Sequence, residues 1–198
     1  MTYFPLLLLG LTLFSLGFLY QHTRIQDWDE KLFLRLNQIL NRPLLIRGFI
    51  ILWGLGITPF TLICLAVMTI RNPEQGVIGG VVYGVFAGIE RGVKLALKRP
   101  RPFDRFPHSV TMLQPSHPDD PSFPSGDCLR AWFLVLVIGF GFGGHTALLI
   151  SLFFLACLVS LGRIALGVHF PLDTLAGTGL GISAGSVSLL LWSLVAGY

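Results

Sequence analysis

Charge is scarce in this chain: 12% of its 198 residues are Asp, Glu, Lys or Arg, against 53% hydrophobic. No single buried core needs that much apolar sequence. An ordinary soluble domain is excluded, and apolar runs of about 20 residues, long enough to cross hydrocarbon, are expected instead. Cysteine is nearly missing too. Cys64, Cys128 and Cys157 stand alone, mostly inside apolar segments, and read as small core hydrophobes rather than a disulfide framework or a metal site. There is no basic stripe interleaved with aromatics, so the net charge of +4 does not point to nucleic acid. An anionic lipid headgroup or phosphate suits it better. Positive charge is lacking at the start as well: Met1-Thr2-Tyr3-Phe4 has no basic side chain of the kind a secretory leader wants, and residues 3–20 read as a retained first transmembrane helix, which a signal anchor would resemble.

The pattern that is present is all-α, a single integral membrane domain over residues 1–198. It reads as a six-span transmembrane helical bundle with spans at 3–20, 49–70, 76–97, 128–142, 146–167 and 172–196. Residues 21–47, with Asp27, Asp29, Glu30, Lys31 and Arg35 among Trp28, Phe33 and Leu34, read either as a short interfacial amphipathic helix or as a solvated connector. Gly79, Gly80, Gly84 and Gly88 predict close approach of the third span to its neighbours. Residues 98–126, dense in proline, form a long loop of the kind that carries function or disorder. Six spans bring the ends of spans three and five and the starts of spans four and six to one membrane face, where every chemical candidate would converge. Charge leaves the orientation open, because the basic clusters lie opposite the termini.

Three blocks carry the candidates. Lys94, Lys98, Arg99 and Arg101 cluster at the end of the third span, suited to phosphate oxygens or, more blandly, to snorkelling toward lipid headgroups. Pro124-Ser125-Gly126-Asp127 precedes an apolar helix. Ser125 can cap it and Gly126 allows close backbone approach, which makes an anion-binding helix end or simply a good helix start. Arg163, His169 and Asp173 flank a junction between apolar segments. A buried arginine needs an anion, and Asp173 can hold one imidazole nitrogen of His169 protonated while the other attacks.

Together these blocks resemble the membrane-bound type 2 phosphatidic acid phosphatase superfamily. Its Lys, six residues, Arg-Pro is matched by Lys94 through Arg101-Pro102, and its Pro-Ser-Gly-His by Pro124 through Asp127. Its Ser-Arg, five residues, His, three residues, Asp is matched by Gly162-Arg163, His169 and Asp173. The resemblance implies that His169 attacks phosphorus to give a phosphohistidine, with Asp173 holding its tautomer. Lys94, Arg101 and Arg163, with Ser125 and the Gly126 N–H, would clamp the phosphoryl oxygens. It implies no cofactor and no metal, since basic groups and helix-end donors stabilise the transferring charge. The expected partner is a phosphorylated membrane lipid and not nucleic acid. The expected setting is a bacterial inner membrane with the site facing the periplasm or cell exterior, and oligomeric state stays open.

Two departures stand out. Gly162 replaces a serine, removing a hydroxyl donor. Asp127 replaces the histidine that protonates the leaving oxygen, and three readings follow: a working acid, a diphosphate substrate whose leaving group needs little proton, or an inactivated chain. A polyprenyl diphosphate phosphatase is the expectation. A lipid A 1-phosphatase, a phosphatidylglycerol phosphate phosphatase, a lipid phosphotransferase and a silent phospholipid-binding protein are the alternatives.

Overall fold

The computed structural model describes residues 3–141 and 143–196, and among them every regular element is a helix. In chain order these are α1 (Phe4–Gly17), a 3₁₀ turn (Phe18–Gln21), α2 (Thr23–Leu40), α3 (Pro43–Trp53) and α4 (Thr58–Arg71). There follow α5 (Pro73–Leu97), the one-turn α6 (Pro102–Arg105), α7 (Gly126–Gly141), α8 (Thr146–Ala165) and α9 (Pro171–Ala196). Prolines stand in the first turns of α3, α4, α5 and α6, where a missing N–H costs nothing.

The six-span expectation is corrected. Four helical stretches are long and apolar enough to cross a membrane, Phe4–Gln21, Pro73–Arg105, Thr146–Ala165 and Pro171–Ala196, and five if the α3–α4 pair counts as one. That pair, expected as a continuous span, breaks after Trp53 and bends by 48°. The fourth expected span fails for a different reason. α7 has 16 residues, a rise of about 24 Å against a hydrocarbon core of about 30 Å. It carries Asp127 in its first turn and is buried on nearly all sides by its neighbours. At that length it falls short of the residues needed to cross, and its neighbours enclose it inside the bundle. Phe142, where the expected span ended, lies outside the described residues.

α9 is the axis of the bundle, packed against α1, α7, α5 and α8. Small residues allow this: Gly177, Gly181 and Gly185 recur every fourth position toward α7, where a Cβ would strike the Ser125 and Leu129 carbonyls and the Leu136 side chain. Van der Waals packing at short interaxial distance, more than apolar transfer, holds such helices together. The expected close approaches of α5 are largely absent, since Gly80, Gly84 and Gly88 have nothing within 4 Å of a Cβ and only Gly79 meets a neighbour, Leu65.

α2 settles the ambiguity of residues 21–47. Its inward positions are Asp29, Phe33 and Asn37, one helical turn apart, so a polar pair brackets a buried ring. Asn37 Nδ2 donates to the carbonyls of Ile164 at 2.9 Å and Ala165 at 3.1 Å, satisfying the end of α8. Gly167 then turns the chain at φ 77°, where a Cβ would press on the Thr111 carbonyl at 2.8 Å. That turn delivers His169 to the start of α9.

Candidate active site

The end of α5, the 98–125 connection, the start of α7, the end of α8 and the start of α9 enclose a cavity of about 420 Å³ beside the α3–α4 bend. Its wall holds five basic side chains, Arg91, Lys94, Arg101, Arg130 and Arg163, against Glu90, Asp120 and Asp127. Gly126, at the N–H end of α7, also lines it, and a Cβ there would meet Glu90 Oε1 at 2.6 Å. Of the expected site residues, Lys94, Arg101, Gly126, Asp127, Arg163 and His169 share this wall. Asp173 lies behind it.

His169 faces the cavity through Nε2, which is 3.4 Å from Arg101 Nη1, while Nδ1 is 3.7 Å from Asp173 Oδ2. The second distance is too long for a hydrogen bond, as is common in unliganded catalytic sites. Burial, reinforced by the Arg101 charge, pushes the imidazole's pKa down to about 3 despite the pull of Asp173. The ring is therefore neutral at physiological pH, with a lone pair free to attack.

Asp173 is held from three sides. Its Oδ1 pairs with Arg99 Nη1 at 2.5 Å, and its Oδ2 accepts from Ser122 Oγ and, at 2.8 Å, from the Phe170 N–H. The last bond is the reach-back of a third-position acid to the capping residue of its own helix. Arg99 in turn binds Asp29 Oδ2 at 2.6 Å through Nη2 and stacks on the rings of Tyr20 and Phe170. Asp29 Oδ1 accepts the Leu172 N–H at 3.0 Å. Burial raises the Asp29 pKa to about 6, even with Arg99 opposing it. Arg99 and Asp29 thus fix the carboxylate behind the histidine.

Four of these basic groups, Lys94, Arg101, Arg130 and Arg163, are already engaged by carboxylates. Lys94 binds Glu90 at 3.0 Å and also Asp120, and Arg101 Nη2 binds Asp120 Oδ1 at 2.7 Å. Burial works against the Asp120 charge, but Lys94 and Arg101 outweigh it and bring its pKa down to about 2. Asp127 Oδ1 meets Arg130 Nη2 at 2.6 Å and its Oδ2 meets Arg163 Nη2 at 2.9 Å. Arg163 also donates to Gln114 Oε1, yet its Nε and Nη1 are buried without a partner. A buried guanidinium with two free N–H edges is built for an anion.

Ser125 departs from expectation. Its backbone carbonyl starts α7 by accepting the Leu129 N–H at 3.1 Å and its own N–H donates to the Asp173 carbonyl at 3.0 Å. Its Oγ, however, caps nothing and is buried without a partner. Sequence reasoning missed Asp29, Ser122, Gln114, Asp120 and Arg130 as site residues, and it read Arg99 as part of the phosphate-facing cluster, whereas Arg99 binds Asp29 and Asp173 behind the wall. Two left a signal: Asp29 falls on the same α2 face as Ile25 and Phe33, and Arg130 stands three residues after Asp127 on an otherwise apolar helix. Among the described residues no group of three or more His, Cys, Asp or Glu is placed to hold a metal ion.

The arrangement is a neutral imidazole backed by a fixed carboxylate and fronted by guanidiniums, which suits nucleophilic attack on a phosphoryl group. Comparison with known proteins agrees. No curated protein sequence matches the chain. The sequence profile of the PAP2 superfamily matches residues 75–195. Among solved structures, LpxE of Aquifex aeolicus is 30% identical with a TM-score of 0.72, over 81% of this chain and 93% of that one. The first transmembrane PAP2 type phosphatidylglycerolphosphate phosphatase from Bacillus subtilis shares the fold at 22% identity, with a TM-score of 0.79 over 98% of this chain and 96% of that one. With its membrane-length apolar helices and a family match spanning most of its length, the chain belongs to the PAP2 superfamily and is an integral membrane lipid phosphatase.

Proposed function

We propose that the protein hydrolyses a lipid diphosphate, a polyprenyl diphosphate above all, through a phosphohistidine on His169. The observation that carries this reading is the state of Asp127, whose two oxygens are each bound by a guanidinium. A carboxylate so held is a poor proton donor. A monoester releases an alkoxide that needs a proton, whereas a lipid diphosphate releases a lipid monophosphate that is stable as an anion. Arg91 and Arg130 add positive charge to the wall beyond Lys94, Arg101 and Arg163, as a second phosphate would require.

In this reading His169 Nε2 attacks the terminal phosphorus while Asp173 steadies the Nδ1 proton. Lys94, Arg101 and Arg163, with Ser125 Oγ and the Gly126 N–H, hold the equatorial oxygens. Asp127 serves by fixing Arg163. Phosphate arrival must displace Asp120 from Lys94 and Arg101. The tail remains in the apolar surroundings of the helices, in a bacterial inner membrane with the site toward the periplasm or cell exterior.

The test is inorganic phosphate release by purified protein from matched lipid monophosphates and diphosphates, with His169→Ala as background. Release should favour diphosphates and vanish in the variant. Asp127→His should raise turnover on monophosphates more than on diphosphates; an equal effect on both would refute the leaving-group argument.

A further inference from the structure

The reaction proposed above has two halves, and only the first dispenses with a proton carrier. A lipid monophosphate can leave as an anion, but the water that attacks the phosphohistidine must lose a proton. The carboxylates on the cavity wall are committed elsewhere: Glu90 to Lys94, Asp120 to Lys94 and Arg101, Asp127 to Arg130 and Arg163. Besides His169, the wall carries one other imidazole among the described residues, His117. It comes from the proline-rich connection, with its ring edge-on to Phe103 at 5.2 Å between centroids. Phe103 belongs to α6, which follows directly on Arg101, so His117 rests on the same segment as the clamp. His117 Nδ1 is 3.4 Å from Asp119 Oδ1. A carboxylate on that side favours the tautomer with its proton at Nδ1 and the lone pair at Nε2.

We infer that His117 is the general base of the second half-reaction, its Nε2 taking a proton from the water that attacks phospho-His169. This rests on the phosphohistidine reading. As the new P–O bond forms, the bond between phosphorus and His169 Nε2 breaks and its electron pair returns to the His169 ring. Inorganic phosphate leaves, and His117, exposed on its outer side, passes the proton to solvent. The imidazole absent from position 127 is thereby supplied from the loop, while Asp127 binds arginines.

The experiment uses the full chain with farnesyl diphosphate as the probe, comparing wild type, His117→Ala and His117→Gln. Exchange of labelled farnesyl monophosphate into farnesyl diphosphate reads the first half-reaction, and inorganic phosphate release reads both. Exchange is expected within about twofold of wild type in each variant, with phosphate release down by about 100-fold or more, the scale of a lost general base. Exchange and release falling together, or release unchanged, would overturn the role of His117. No exchange in wild type would instead overturn the phosphohistidine itself.

Discussion

Arg99 bridges two carboxylates, Asp29 and Asp173, that no other Lys or Arg pairs with among the described residues, and its removal makes a sharp prediction. The guanidinium is 5% exposed, binds Asp173 at 2.5 Å and Asp29 at 2.6 Å, and lies 4.1 Å from the Tyr20 ring centroid. Arg99→Gln leaves two buried acids facing a neutral amide. Breaking a buried pair by removing one partner costs about 3–5 kcal/mol, out of a total stability of about 5–15 kcal/mol. We expect a loss of about 4 kcal/mol at pH 8 on that scale. The loss should shrink on acidification. Asp29, with a pKa near 6 against a reference of 3.8, contributes stability that is full below the lower value and lost as pH rises through the upper one. Without Arg99 to oppose burial, the upper value moves higher, so the variant recovers stability from pH 8 to pH 5.5 at up to about 1.4 kcal/mol per unit. Urea unfolding of detergent-solubilised protein, followed by far-ultraviolet circular dichroism at both pH values, reads this directly. A loss under about 1 kcal/mol at pH 8, or equal losses at both pH values, would refute the buried-charge account.

Further outcomes follow from single contacts. Gly162→Ser would restore the residue usual at that motif position, but a Cβ there lies 3.0 Å from Phe49 Cδ1. It should lower stability by about 1–3 kcal/mol, and Phe49→Leu in the same chain should recover most of that; a double-mutant cycle by thermal unfolding with no coupling would show that α3 does not set the glycine. Asp120→Asn removes the carboxylate that competes for Lys94 and Arg101. Charge-assisted bonds to a part-exposed group are worth about 1–2 kcal/mol, so inhibition by inorganic phosphate should tighten about five- to thirty-fold, and an unchanged inhibition constant would count against competition at the clamp. Asn37→Leu strips the donors from the Ile164 and Ala165 carbonyls. A cost of about 1–3 kcal/mol is expected in the same unfolding assay, and no measurable loss would mean that water replaces the amide.

The helical membrane character and the phosphatase motifs were legible in the sequence alone, because both follow from local composition and fixed spacing along the chain. Twenty apolar residues need lipid wherever they fold, and His169 and Asp173 stay one turn apart once Pro171 opens a helix. Tertiary structure alone decided the rest, since it depends on which helix face meets which neighbour. An apolar run at α7 is the same string whether it crosses a bilayer or lies inside a bundle; its length and its partners made it a core helix. The glycines of α5 and α9 are alike in sequence, yet those of α9 touch α7 or, at Gly179, α1, and most of those of α5 touch nothing. Asp29 and Arg99 become the support of Asp173 only when α2 docks beside α9, and Asp120 enters the clamp only when the proline-rich connection folds back over it. Such pairings join residues far apart in the chain, and local propensity holds no record of them.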